Sequence, residues 1–259
     1  NVTITGTTNV FNYNIGALTG LHVESNGAIS VSGVTANSNP NSNGAYLQST
    51  GGNITVDLST FNSNDIKGLH AKTVGSGNIT LTDVNANNNG YSPFPDGDGL
   101  RIEANGIVIV DGVTANSNKV NGATIDNSTV TATVTVTNSS FSGNFNSGLF
   151  VAGGGDVTLS NSTFGDLGIG NLNKGLDIAS NGDVTLTSVT ASYNDVKGAY
   201  ISNALGMGNI TITGTNTFNN NSGGDGLHIQ ANASVVVDGV TANGNYAYGA
   251  YVDNIVGPV

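Results

Sequence analysis

Short runs in which apolar and polar residues alternate follow one another along the whole chain, separated by glycine and asparagine. Two types of run, exemplified by ITLT (79–82) and VTAN (34–37), lead into a third type that begins with Gly. The third type occurs ten times, at Gly20, Gly44, Gly68, Gly99, Gly122, Gly148, Gly175, Gly198, Gly226 and Gly249. Because a period of two is typical of β-strands, each unit of about 25 residues is predicted to contain three short strands.

A unit of this size buries its apolar side only by stacking on its neighbours, as in solenoid proteins. The pattern N-[IV]-T-[VL]-T followed by G-[LA]-x-[IVL] resembles the parallel β-helix repeat of the pectin-lyase-like superfamily. This resemblance covers nearly the whole chain and implies a right-handed solenoid with three parallel sheets. We therefore predict an all-β fold in which residues 1–259 form a single domain, a right-handed parallel β-helix (solenoid) of about ten coils of about 25 residues.

The predicted interior contains two columns of side chains whose sizes change together. One column follows the repeated glycines and consists of Leu or Ala, and the other precedes a turn asparagine and consists of Phe or Ala. Coils with Phe, such as those of Phe61 and Phe141, carry Leu after the glycine, whereas the coil of Ala115 carries Ala. The coil with Ala86 and Leu100 is the exception. Since close-packed interiors tolerate volume changes poorly, the correlation indicates two coil types with complementary cores.

Asparagine recurs at one turn position of nearly every coil. The column comprises Asn14, Asn39, Asn64, Asn89, Asn118, Asn144, Asn194, Asn221 and Asn245. In the remaining coil, Leu167 occupies the position that the repeat assigns to asparagine. Stacked asparagines bond amide to amide between layers, so we predict a structural asparagine ladder.

Composition and charge narrow the range of partners. The formal net charge is −11, and the chain has only six Lys and Arg residues. Such a surface repels nucleic-acid phosphates and anionic lipid, so we expect no nucleic acid as a partner. No stretch of the sequence has the length and apolarity of a membrane span, so we expect no membrane insertion. The chain has no cysteine, which excludes disulfides and thiol catalysis.

The sheet built from the Gly runs carries the candidate binding residues. The resemblance implies this location, because lyases and hydrolases of the superfamily have their active sites on that face. The candidate carbohydrate-binding residues, on four successive coils, are Tyr46, His70, Lys72, Arg101, Glu103 and Asp126. The longest insertion, GYSPFPDGDG at 90–99 with Pro93 and Pro95, comes just before Arg101. Insertions on solenoids often shape a binding face, which favours a site here.

Catalysis at this position is an alternative to passive binding. The resemblance implies calcium held by carboxylates beside a basic residue in a lyase, or clustered aspartates in a hydrolase. Glu103 and Asp126 satisfy the spacing of a carboxylate pair for glycoside hydrolysis. Stacked coils always bring such pairs together, however, so we favour a protein without catalytic activity.

Two other features suggest ligands. Asp156 and Asp183 fall in one column of adjacent coils, where like charges repel unless a cation lies between them. Calcium is therefore the one cofactor considered, and no other is expected. The Thr-x-Thr strands of the ITLT type form a flat hydroxyl grid that resembles the surfaces of ice-binding β-solenoids. Asp57, Asp111 and Asp238 interrupt that grid.

Our first hypothesis is an extracellular or cell-surface β-solenoid, a structural or adhesive segment of a bacterial surface or filament protein that acts as a rigid rod. The chain begins within a coil and ends just after a GAYV strand, so we expect either a longer array of repeats or end-to-end stacking on copies of itself. The alternative is a module that binds or cleaves polysaccharide with its His, Tyr and Arg side chains. Ice binding by the Thr-x-Thr face is a further alternative.

Overall fold

The computed structural model describes residues 1–16, 19–91 and 96–254 of the 259-residue chain, and these ranges consist of β-strands joined by turns. The first eleven strands are β1 (Val2–Val10), β2 (Thr19–Ser25), β3 (Ile29–Thr35), β4 (Asn43–Ser49), β5 (Ile54–Asp57), β6 (Leu69–Thr73), β7 (Ile79–Thr82), β8 (Leu100–Glu103), β9 (Val108–Asp111), β10 (Ala123–Asn127) and β11 (Val134–Thr137). The other eleven are β12 (Leu149–Gly153), β13 (Val157–Ser160), β14 (Leu176–Ser180), β15 (Val184–Thr187), β16 (Ala199–Ser202), β17 (Ile210–Thr213), β18 (Asn216–Thr217), β19 (Leu227–Ala231), β20 (Val235–Val237), β21 (Val240–Thr241) and β22 (Ala250–Asn254).

Two long parallel sheets run the length of the described chain. Sheet A has the strand order β1-β3-β5-β7-β9-β11-β13-β15-β17-β20, and sheet B has the order β2-β4-β6-β8-β10-β12-β14-β16-β19-β22. In sheet B, Leu69 pairs with Leu100 and Leu100 with Ala123, so corresponding positions of successive units lie side by side. Ten strands in each sheet correspond to ten coils. The predicted all-β parallel β-helix of about ten coils is confirmed.

The third predicted sheet is narrower than the other two. It consists of the two-residue strands β18 and β21, preceded by single-residue parallel bridges that link Thr35, Thr60, Asn85, Thr114, Ser140, Thr163, Thr190 and Thr217 in succession. Residues with positive φ lie on both sides of a bridge, such as Asp83 (52°) and Asn88 (57°) around Asn85. This backbone conformation is not extended, so it limits the pairing in most coils to one residue.

Inward side chains of the sheets and the bridges form one continuous core. Phe61, Phe141, Phe164 and Phe218 are fully buried. The rings of Phe141 and Phe164 stack with centroids 5.5 Å apart and an interplanar angle of 5°. Ala115 is also fully buried at the equivalent position of its coil. The Phe or Ala column therefore faces the interior, where each fully buried Phe contributes about 2–3 kcal/mol through the hydrophobic effect.

The turn asparagines lie in one column in which each side chain bonds to the next member, up to Asn245 in the last described coil. Asn118 donates to Asn144 Oδ1 twice, from its amide Nδ2 at 3.1 Å and from its backbone N at 2.8 Å. The same two bonds connect, in succession, Asn14, Asn39, Asn64, Asn89, Asn118, Asn144, Asn171, Asn194, Asn221 and Asn245. This asparagine ladder satisfies polar groups that are buried in the turn between the bridges and sheet B.

Leu167 does not occupy the ladder position that the repeat assigns to it. Asn171 fills the place between Asn144 and Asn194, and Leu167 is 73% exposed. In this coil the ladder residue comes seven positions after Phe164, whereas in the other coils with Phe it comes three positions after the Phe. The difference arises because the intervening residues form an outward loop. Counting three residues from Phe164 therefore leads to Leu167, which lies in the loop, and not to the ladder residue Asn171.

The glycine before each sheet B strand is required by close packing against the ladder. A Cβ atom on Gly122 would lie 2.6 Å from the carbonyl oxygens of Ala115 and Gly148 and 2.7 Å from Asn144 Nδ2. Those distances are too short for carbon, so the repeated glycine and the ladder asparagine depend on each other.

Candidate functional site

The six predicted carbohydrate-binding residues lie on the outward face of sheet B. In-register pairing places them in two columns, Tyr46–His70–Arg101 and Lys72–Glu103–Asp126. Neighbouring strands are about 4.8 Å apart. The structure therefore brings together side chains that are up to 80 residues apart in the sequence (46 to 126).

Glu103 is the centre of this group. Its Oε2 lies 2.9 Å from Lys72 Nζ, and its Oε1 lies 3.2 Å from Arg101 Nε and 3.3 Å from His70 Nε2. We call these four residues the Glu103 cluster. The Glu103 side chain is 26% exposed, so the cluster is accessible to a ligand on one side.

The charges of the Glu103 cluster stabilise one another. Burial acts to raise the pKa of Glu103, but the opposing effects, led by the hydrogen bond from Lys72, lower it from 4.5 to about 2. The bond to Glu103 raises the pKa of Lys72. Burial lowers the pKa of His70. At neutral pH the cluster therefore contains a carboxylate, two cations and a neutral imidazole.

Aromatic rings continue the cluster along the first column. Tyr46 lies between His22 and His70, with ring centroids 5.1 Å from each. The Tyr46 hydroxyl donates to Gln48 Oε1 at 2.7 Å, which fixes the ring orientation. Tyrosine rings with one polar end are well suited to stack against a sugar and to bond its hydroxyls.

Asp126 lies beside the cluster without joining it. Its carboxylate accepts hydrogen bonds from the Ser128 hydroxyl at 2.8 Å and the Ser128 backbone N at 3.2 Å. Asp126 lines a cleft of about 240 Å³ together with Lys72 and Glu103. Asp126 is therefore placed to contact a ligand in that cleft.

A further column of polar residues, which the sequence reasoning missed, borders the face. It consists of the residue immediately before each repeated Gly and includes Lys67, Asp98, Lys174, Lys197 and Asp225. Lys67 and Asp98 line a cleft of about 280 Å³ together with three residues of the Glu103 cluster, His70, Arg101 and Glu103. Asp98 is 6% exposed, and burial raises its pKa. The repeated Gly itself marks this column in the sequence.

The insertion at 90–99 is only partly within the described residues. Pro93 and Pro95 lie outside the described residues, so the structure does not test their predicted role beside Arg101. Asp96 is described, and its carboxylate lies 2.9 Å from Lys67 Nζ at the edge of the cleft.

Asp156 and Asp183 have a structural partner in the turn before sheet A. Asp156 Oδ1 accepts a hydrogen bond from the backbone N of Asp183 at 2.9 Å, and Asp183 Oδ1 accepts one from the backbone N of Asn209 at 2.6 Å. Asn53 and Asn78 use their side-chain oxygens in the same way. Bonding to the next coil thus accounts for both aspartates, and no group of three metal-ligating side chains occurs in the described residues. Calcium at this pair stays a prediction.

Sheet A presents a different outward surface. Its hydroxyl grid is interrupted by Ile109, which is 39% exposed, and by carboxylates. Asp111 accepts a 2.6 Å bond from the Thr137 hydroxyl and a 2.7 Å bond from Asn138 Nδ2. These bonds lower the pKa of Asp111. Because some hydroxyls bond to carboxylates, the grid is not uniform, and ice binding remains a hypothesis.

Comparison with protein families agrees with this architecture. The family model described as "Right handed beta helix region" matches residues 1–164. The chain belongs to the right-handed β-helix family. The matched part of the β-helix includes the whole Glu103 cluster, and strands β14 to β22 continue the same register beyond it. The predicted handedness and the predicted relationship to parallel β-helix repeat proteins are confirmed.

Two further comparisons bear on function. Neither the curated proteins nor the solved structures provide a match to the chain. Within the described ranges there is no helix with the length and apolarity needed to cross a membrane. Function must therefore be inferred from the outward side chains of the β-helix.

Proposed function

We propose that this β-helix is an extracellular or cell-surface adhesive rod that binds polysaccharide through the outward face of sheet B. The observation that carries the proposal is the Glu103 cluster, in which an imidazole, an ammonium and a guanidinium converge on one carboxylate beside the partly exposed ring of Tyr46. Such a mixture of donors, acceptors and ring faces is typical of a surface that orients a polyhydroxylated ligand.

The pKa shifts favour binding over cleavage. A general acid must hold a proton at the working pH, but the pKa of Glu103 is lowered to about 2. A general base must be able to lose its proton, but the pKa of Lys72 is raised. Glu103 is therefore unsuited to act as the general acid and Lys72 as the general base, and both can still bond to a sugar hydroxyl.

The core and the ladder support a mechanical role as well. Ten coils at the spacing of paired strands give a rod of about 48 Å, made stiff by stacked backbone bonds. At the last described coil, the inward side chains Val237 and Val252 are 41% and 45% exposed. We propose that a further coil stacks there, supplied by a longer array or by another copy of the chain.

Binding can be tested by glycan-array screening of the purified chain, followed by titration calorimetry with the best polysaccharide. We expect Arg101→Gln to weaken binding at least about tenfold, the cost of one lost charged hydrogen bond. Lys119→Gln is the matched control, because Lys119 lies outside the strands of sheet B and outside the Glu103 cluster, with its Nζ 4.8 Å from the centroid of the Phe145 ring, so its replacement should leave the affinity unchanged. Equal affinity of wild type and Arg101→Gln would contradict the proposed site.

Self-assembly needs a separate test. Negative-stain images across a concentration series should show rods whose length increases with concentration if copies stack end to end. Rods of one length at every concentration would contradict stacking of copies and would leave the binding site unaffected.

A further inference from the structure

A second group of charged and aromatic side chains lies on the same face, near the other end of sheet B. Lys197 Nζ and His228 Nδ1 each lie 2.7 Å from Asp225 Oδ2. Asp225 is only 5% exposed. We call these three residues the Asp225 cluster. A buried carboxylate with two nitrogen partners is held firmly in place, which is what a binding subsite requires.

Aromatic rings surround the Asp225 cluster. The His228 ring lies between Tyr200 and Tyr251, with centroids 5.2 Å and 4.8 Å away. Lys174 Nζ lies 4.8 Å from the centroid of the Tyr200 ring. A cleft of about 360 Å³ opens here, lined by Asp225, His228, Gln230, Tyr248, Tyr251 and Asp253. The rings and the cleft together form a platform for a ligand.

The two clusters repeat one arrangement. In each, a Tyr is followed by a His on the next strand, the Tyr hydroxyl donates to a Gln on the same face, and the His approaches a carboxylate that pairs with Lys. Tyr46 and Tyr200 are six strands apart in sheet B, and so are His70 and His228. Six strand spacings correspond to about 29 Å.

Both clusters also contain a buried nitrogen that has no hydrogen-bond partner among the described residues. It is Nε2 of His228 in one cluster and Nε2 of His70 in the other. His70 Nε2 lies 3.3 Å from Glu103 Oε1 but is not aligned for a hydrogen bond. Buried polar atoms are normally bonded, so an unbonded imidazole nitrogen in each of the two clusters points to a hydroxyl ligand there.

The surface between the two clusters is concave over part of its length. Between them a cleft of about 410 Å³ is lined by Arg101 of the Glu103 cluster, by Thr124 and Phe150, and by Asp177. Asp177 lies 2.7 Å from Lys174, the cation next to Tyr200. A polymer that lies along the solenoid axis can therefore contact both clusters without leaving the surface.

The charges of the face indicate which polymer fits. Each basic residue on or beside this face already pairs with a carboxylate, namely Lys67, Lys72, Arg101, Lys174 and Lys197. The chain as a whole carries a formal charge of −11. Paired cations do not recruit an anionic polymer, and the overall charge repels it.

We infer that the Asp225 cluster is a second subsite, which acts with the Glu103 cluster to hold one uncharged polysaccharide chain along the axis of the β-helix. This inference rests on the proposed function and specifies its ligand class. Two linked subsites increase the affinity for a chain long enough to reach both, without any new type of contact.

The test is titration calorimetry with uncharged oligosaccharides of increasing length from the polysaccharide that binds best, with polygalacturonate as the acidic comparison. We expect the affinity to rise at least about 100-fold once the oligosaccharide spans both clusters. Tyr200→Ala should remove that rise and leave the binding of short oligosaccharides at the Glu103 cluster intact. Tyr246→Ala is the matched control, since Tyr246 is 79% exposed in a turn outside sheet B.

The outcomes separate the two proposals. If the wild type binds no polysaccharide, the proposed function fails and the inference fails with it. If the wild type binds but Tyr200→Ala has the same length dependence, only the second subsite is overturned. Tighter binding of polygalacturonate than of the uncharged chain would overturn the assigned ligand class. Circular dichroism of each variant shows whether the fold is retained.

Discussion

Sheets A and B have the same number of strands, the same parallel register and the same kind of inward residues, but their outward surfaces differ. Sheet A presents Thr and Ser hydroxyls with a few carboxylates, whereas sheet B presents all three histidines and, together with the column just before its strands, most of the basic residues. The repeat constrains inward and turn positions because a volume change there disturbs neighbouring coils. Outward positions are free of that constraint, so chemical differences accumulate there.

One carboxylate on each sheet illustrates the difference. Asp111 on sheet A is stabilised by the neutral donors Thr137 and Asn138, and Glu103 on sheet B by the cations Lys72 and Arg101. Both pKa values are lowered, but through different interactions. Salt screens charge pairs much more than it weakens neutral hydrogen bonds.

The largest effect is expected from a substitution in the asparagine ladder, because the ladder connects the coils that carry both sheets. Asn118→Ala deletes one rung of the asparagine ladder and leaves the two donor groups of Asn89 without their buried acceptor. We expect a loss of about 3 kcal/mol in the free energy of unfolding, measured by urea denaturation. Asn243→Ala, at an exposed turn position outside the ladder, should cost less than about 0.5 kcal/mol. Equal losses in the two variants would show that the ladder does not stabilise the coils.

A smaller effect is expected in the pH dependence of the unfolding free energy, to which Glu103 on sheet B contributes. The pKa of Glu103 is lowered in the folded state, from 4.5 to about 2, so its stabilising contribution is present above about pH 4.5 and is lost as the pH falls through about 2. In Glu103→Gln, the decrease of the unfolding free energy over this range should be shallower by about 1–2 kcal/mol.

Salt provides the comparison with sheet A in the same experiment. Adding salt should reduce the contribution of Glu103, since its partners are cations. The change in unfolding free energy caused by the matched substitution Asp111→Asn should depend little on salt, because the partners of Asp111 are neutral. An acid profile of Glu103→Gln that coincides with that of the wild type would contradict the role assigned to the Glu103 cluster.

The smallest effect is expected on the outward face of sheet A. Replacing Thr80 and Thr185 by Lys should change the free energy of unfolding by less than about 0.5 kcal/mol for each site, because both are outward strand positions. Polysaccharide binding should be unchanged. If the wild type shows thermal hysteresis in freezing solutions and the double variant loses it, sheet A has an ice-binding function of its own.

Much of the fold was predictable because it depends on a local period. Alternation placed the strands, and the Phe or Ala and Asn columns identified the interior and the ladder. Prediction failed at Leu167, where an outward loop changes the count before Asn171. The predicted third sheet is present, but its narrowness, which follows from positive φ values, was not predicted. Neither departure alters the hydrophobic pattern, so neither was visible in it.

The site was predictable in part. Tyr46, Lys72 and Asp126 were assigned to one face from their positions in the repeat. The convergence of His70, Lys72 and Arg101 on Glu103 was not predictable, because it depends on side-chain rotamers. The Asp225 cluster was missed for a different reason, since Lys197 and Asp225 stand before the repeated Gly rather than within the strand.

The sequence by itself determined the parallel β-helix, its ten coils and the face on which the charged and aromatic residues lie. It did so because burial and backbone pairing repeat with every coil and leave a periodic trace. The tertiary structure alone decided which charges pair, that Asn171 completes the ladder, and that two similar clusters lie about 29 Å apart on one face. These features depend on contacts between coils and on the paths of loops, which have no period along the chain.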